Sequence, residues 1–140
     1  MSELLQRIEA SFARQGLMQH LGAVLLRVSP GEVAFQLPMS ERCTQQQGWF
    51  HGGAIAALGD IACGYAALTQ APKGMEVASV EFKINFVTAA RGHCIEAIGR
   101  VLKAGRTLAV TQAEVFDLQG DAKVLCAAMQ ATMIYVQKTD

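Results

Sequence analysis

The chain has 140 residues, 51% of them apolar, and its 12 basic residues balance 12 acidic ones. That length gives one domain over residues 1–140, with enough chain to bury a real core. Balanced charge argues against nucleic acid or an anionic membrane as the main partner. The apolar surplus of so small a chain points to a subunit interface, hence an oligomer.

Taken in chain order, Ser2 is an N-cap, and Leu4, Leu5, Ile8 and Phe12 mark one face of a first helix that Gly16 is expected to end. Residues 1–15 thus read as a polar amphipathic helix rather than an apolar leader. Residues 21–28 and 32–37 read as two strands around the turn Ser29, Pro30, Gly31. A polar loop over 40–48 leads into a long apolar helix between Trp49 and Gln70. Residues 77–87 alternate: Val77, Ser79, Glu81, Lys83 and Asn85 on one side, Ala78, Val80, Phe82, Ile84 and Phe86 on the other. This predicts a strand half-buried against a layer. Strands over 95–102, 108–116 and 124–136 follow, joined by turns at 103–107 and 119–121.

The four cysteines, Cys43, Cys63, Cys94 and Cys126, have no CxxC spacing and no histidine at zinc-finger distance. No metal site is expected, and the thiols read as small buried hydrophobes of a reducing, cytoplasmic compartment. The central helix approaches membrane-spanning length, but Asp60 would stand at mid-span among several glycines, which argues against a span.

A helix, two strands, a long apolar helix and four closely connected strands make an α+β fold with an antiparallel sheet of about six strands. An apolar helix needs cover on most sides, and a sheet curled around it supplies that. This arrangement, with its extra N-terminal helix, is the hotdog fold.

One acid, Asp60, interrupts the apolar run WFHGGAIAALGDIACGYAALTQ. A buried carboxylate without a partner costs several kcal/mol, so either it does chemistry or it caps or pairs with a buried group. His51, Gly52 and Gly53 open the helix, where free N–H groups and the helix dipole favour developing negative charge. His51 can equally serve as a loop-bonded residue at the helix start, and Gly53 as a packing position. Nine residues separate His51 from Asp60, about 13 Å at ~1.5 Å per residue. One carbonyl carbon cannot meet both at about 3 Å. Two chains with antiparallel central helices can supply both, which predicts a site shared across a two-fold axis.

The segments QQQGWFHGGAIAALGDIACGYAA, VASVEFKINFVTAA and KAGRT, in this order and spacing, resemble the phenylacetate-pathway-type (PaaI-like) hotdog thioesterases over residues 17–136. The resemblance implies hydrolysis of acyl-coenzyme A thioesters, with coenzyme A as part of the substrate and no separate cofactor. It makes Asp60 the general base or nucleophile and the Gly52 N–H the donor to the thioester carbonyl. His51 would orient substrate or loop. Gln45 stands where many relatives carry an asparagine that assists at the carbonyl, and Ser79 where some hold the attacking water. The homodimer would share its active sites, with a dimer of dimers as the expected assembly.

A thioester is already electrophilic and thiolate is a fair leaving group, so carbonyl polarisation and one base suffice. The phosphates of coenzyme A call for basic residues at the tunnel mouth. The candidates are Arg91 and the turn of Lys103, Gly105, Arg106 and Thr107, whose N–H groups could also bind; a solvated hairpin tip is the alternative. Trp49, Phe50, Tyr65 and the methionines line either an acyl or aryl pocket or the core. Two other readings are a non-catalytic hotdog module for acyl ligands, which gains nothing from a buried acid, and a hotdog dehydratase, whose histidine and acid are differently placed.

Overall fold

The computed structural model describes residues 2–139. The first helix, α1, runs Glu3–Phe12, and the Ser2 hydroxyl accepts the Leu5 N–H at 3.1 Å as the cap requires. A second helix, α2 (Gly16–Leu21), follows where no element was expected and takes Leu21 from the expected first strand. Gly16 begins this helix rather than ending α1, and Gly22, at φ 88°, closes it. The strand β1 is therefore shorter than expected, Val24–Ser29. The turn to β2 (Glu32–Pro38) places Gly31 at φ 80°, which suits a Pro-Gly turn.

The central helix α3 spans Gly52–Leu68. Strand β3 is Met75–Phe86, β4 Cys94–Ala104, β5 Leu108–Gln119 and β6 Ala122–Gln137. All neighbouring pairs are antiparallel, in the order β1-β2-β4-β5-β6-β3. Only β4, β5 and β6 form a meander. β3 crosses to the far side, pairs with β6 and becomes an edge. α3 lies on the sheet, its Leu58, Ile61, Ala62 and Tyr65 joining Phe35, Leu37, Ile95 and Val115 in the core. The Thr69 hydroxyl at its C-terminus accepts the Gly31 N–H at 2.8 Å and ties it to the β1–β2 turn.

Strict alternation along β3 fails. Ser79 faces Met133 but Glu81 faces Thr132, so Val80 is bulged out of register. The bulge puts Val77 and Ile84, seven residues apart, onto the same core. It also leaves Val80 (55%), Phe82 (40%) and Phe86 (52%) exposed on the single chain, where the pattern predicted a half-buried strand.

Helix and sheet meet backbone against backbone at Gly99 on β4. A Cβ there would lie 2.2 Å from the Ala62 carbonyl oxygen of α3. Gly99→Ala is expected to cost at least about 3 kcal/mol, the upper part of the overpacking range, because backbone rather than a flexible side chain must move. The shift of the urea midpoint measures it; a change under about 1 kcal/mol, below the overpacking range, would contradict this packing.

Candidate active site

His51 caps α3. Its Nδ1 accepts the Gly53 N–H at 2.7 Å, and its backbone N–H donates to Cys43 at 2.8 Å. The imidazole is thus held as a cap, with the proton of the neutral ring on Nε2. Gly52, the first helical residue, has an N–H with no acceptor among the described residues. A Cβ at Gly52 would stand 3.3 Å from the Phe86 ring. Gly52 lines a groove of about 360 Å³ with Gln45, Trp49, Phe86 and Thr88. The Gln45 side chain is engaged in its own turn: its oxygen accepts the N–H groups of Gln47 (2.5 Å) and Trp49 (3.3 Å), and its amide donates to the Gln47 side chain (2.9 Å).

Asp60 is partly exposed rather than buried, so the expected desolvation of this carboxylate is not what singles it out. The reason is geometric. Gly53, Ala56 with Ala57, Asp60 and Gly64, on successive turns, form the open side of α3, while its other faces are packed. The Ser79 hydroxyl on β3 donates to Asp60 Oδ1 at 2.7 Å. Both line a cavity of about 120 Å³ with Ser11, Gln15 and Tyr65.

Within one chain the structure therefore joins Gln45 with Gly52, and Asp60 with Ser79, in two separate cavities. The basic candidates divide the same way. The Arg91 guanidinium lies 4.7 Å over the Trp49 ring, beside the Gly52 groove. Lys103, Arg106 and Thr107 lie at the far end of the sheet, since Ala104 pairs with Ala109. From Ala109 to Asp117 is eight residues of β5, about 27 Å at ~3.4 Å per residue. Ser79, Met133 and Ala109 share a row, which puts Asp60 at the end of the Lys103–Arg106 turn. The Gly105 N–H is spent on the Leu108 carbonyl at 2.7 Å, and Thr107 accepts from Tyr135 at 3.0 Å. The glycine turn thus holds its own hairpin with the Gly105 N–H rather than offering that group to an anion.

Cys63, three residues past Asp60, is buried, and burial pushes its thiol up to about 12. Cys126 is likewise pushed up to about 12 by burial. Both are protonated at neutral pH and make poor nucleophiles.

Sequence reasoning missed Asp117. It is fully buried, and its carboxylate accepts the backbone N–H groups of Arg91 (3.1 Å) and Gly92 (2.9 Å) and the Gln119 amide (2.7 Å). It anchors the loop whose Ala90 carbonyl binds the Phe50 N–H at 2.9 Å, next to the start of α3. The signal was hidden because an acid shortly before the Gln119, Gly120, Asp121 turn reads as turn chemistry. In Asp117→Asn one acceptor oxygen becomes an NH₂ facing N–H donors. A loss of about 1–3 kcal/mol in unfolding free energy is expected, checked by denaturant titration; unchanged stability would contradict this anchoring.

A curled antiparallel sheet packed on one central helix, with an acid half-way along that helix, defines a hotdog-fold domain. The thioesterase superfamily model matches residues 47–123, more than half of the chain, and the chain belongs to that superfamily. It is 31% identical over 110 residues to human acyl-coenzyme A thioesterase 13, covering 77% of this chain and 78% of that one. The crystal structure of a thioesterase family protein from Silicibacter pomeroyi superposes with a TM-score of 0.93 at 36% identity, covering 96% of this chain and 99% of the other. The E. coli PaaI protein of the phenylacetic acid degradation operon shares the fold, with a TM-score of 0.86 at 18% identity over 97% and 95% of the chains. The protein is a thioester hydrolase of this superfamily. Among the described residues no helix is long and apolar enough to cross a membrane.

Proposed function

We propose that this protein hydrolyses acyl-coenzyme A thioesters at sites shared between two chains. The observation that carries the reading is the separation of the two half-sites: a free Gly52 N–H at the start of α3, and the Asp60–Ser79 pair two turns further on, in a different cavity. Two features support the second chain. The open side of α3 is made of small residues around Asp60, so another helix can lie close. β3 is a free edge with exposed Val80, Phe82 and Phe86, a surface that another copy would cover. A two-fold axis running β3 antiparallel to its copy brings the Gly52 end of one chain to the Asp60 end of the other.

In that dimer the Gly52 N–H polarises the thioester carbonyl. Asp60, steadied by Ser79, either takes a proton from the water that attacks the carbonyl carbon, or attacks that carbon itself to give an anhydride that water then hydrolyses. In both cases the C–S bond breaks and coenzyme A leaves as the thiol. Arg91 and the Lys103–Arg106 turn, at opposite ends of one chain, meet at the same site across the axis and face the coenzyme A phosphates. His51 fixes the start of α3, and Gln45 the loop in front of it. A thiol-release assay across aryl-, short- and medium-chain acyl-CoA esters tests the reading. At least one ester is expected to reach kcat/KM of about 10⁴ M⁻¹s⁻¹ or more. No thiol release from any of them would reject it.

A further inference from the structure

Asp117 is a fully buried carboxylate, and among the described residues no basic side chain forms an ion pair with it. A buried charge of this kind costs stability, and an apolar residue would pack there without that cost. What the carboxylate supplies is two acceptor oxygens side by side. Oδ1 accepts the Gly92 N–H at 2.9 Å, and Oδ2 accepts the Arg91 N–H at 3.1 Å and the Gln119 amide at 2.7 Å. An asparagine offers one oxygen and turns an NH₂ toward the remaining donors.

The two backbone N–H groups belong to the crossing from β3 to β4, residues 87–93. Its ends are held by backbone: the Val87 N–H donates to the Cys126 carbonyl at 2.9 Å, and the His93 N–H to the Leu118 carbonyl at 3.1 Å. Asp117 holds its middle. The fit there is close, since a Cβ on Gly92 would lie 2.0 Å from the Leu118 carbonyl oxygen.

That middle reaches the start of α3 twice. The Ala90 carbonyl accepts the Phe50 N–H at 2.9 Å, and the Arg91 guanidinium lies 4.7 Å over the Trp49 ring. The next N–H, of His51, goes to the Cys43 carbonyl at 2.8 Å. Two carbonyls thus fix the chain just before Gly52 and aim its free N–H. One of them belongs to the residue before Arg91, so its place depends on Asp117. The aim matters because a donor must stand about 2.7–3.1 Å from the developing oxyanion. A misplacement of about 1 Å costs up to ~100-fold in rate.

We propose that Asp117 is a positioning residue for thioester hydrolysis: through residues 90–92 it holds the Gly52 N–H on the carbonyl oxygen. This rests on Gly52 as the carbonyl donor in the reading above. Asp117→Asn is expected to lower kcat and kcat/KM together, by about tenfold, with KM left alone, because the weakened interaction is one made in the transition state. Introduced into Gly52→Pro, the same substitution should cost less than about twofold, since the donor it aims is already gone. A purely structural role would cost the same factor in either background. Gln119→Ala, at the exposed end of β5, keeps the fold and is expected to lower kcat about threefold, through one lost hydrogen bond to the carboxylate. An unchanged kcat in both variants, an unchanged kcat in Gln119→Ala where Asp117→Asn does not fold, or a tenfold loss that persists in the Gly52→Pro background overturns the assignment and leaves the hydrolase reading standing. No hydrolysis of any acyl-CoA ester by the wild type overturns both.

Discussion

Replacing Asp60 by asparagine is expected to lower thioester hydrolysis by at least about a hundredfold, the lower end for loss of a positioned base. Asparagine keeps the size of the side chain and an oxygen that can still accept the Ser79 hydroxyl, now at 2.7 Å from Oδ1. What disappears is basicity and nucleophilicity. Because Asp60 is partly exposed and lies on the open side of α3, the unfolding midpoint should hardly change. The measurement is steady-state thiol release alongside circular dichroism and a urea titration. A folded Asp60→Asn protein with near-wild-type turnover would end the catalytic role of this acid.

Mixing two inactive variants should bring activity back. Gly52→Pro removes the free N–H at the start of α3. Proline is favoured at a first helical position, and the preceding His51 already has the extended backbone it requires (φ −65°, ψ 136°). In a heterodimer of Gly52→Pro with Asp60→Asn, a shared-site geometry puts both defects in one site and none in the other. Activity should rise from about one percent or less in each parent to about half of wild type per heterodimer, one intact site of two. Differently tagged chains, co-purified after refolding together, provide the heterodimer, and light scattering confirms its size. If each chain supplied both groups to its own site, every site would carry a defect. Heterodimers that form and stay inactive would refute the shared site.

The central helix was legible because an almost wholly apolar run between Trp49 and Gln70 opens at His51 and the glycines after it. The hairpin turns at Gly31 and Gly120 were legible for a related reason: positive φ at these positions favours glycine, so local chemistry marks them. The acid at 60 stood out because it alone breaks an apolar run. The short helix α2 was not legible, since six residues carry too little periodicity for GLMQHL to stand out as a helix. The bulge at Val80 was equally hidden. An extra residue is defined by what the neighbouring strand does, and β6 lies over fifty residues away.

By itself, then, the sequence determined the kinds of element, their order, and the spacing that keeps Gly52 and Asp60 apart along one helix. These depend on local propensity, turn chemistry and distance along a chain of known rise. Only the tertiary structure decided that Asp60 is half open and bound by Ser79, that Asp117 is a buried anchor, and that Ser11, Gln15 and Tyr65 converge on the cavity beside the acid. Each of those facts joins residues distant in sequence. Such pairings arise when the sheet crosses β3 to its far edge and α1 folds onto α3, and no window of neighbouring residues contains them.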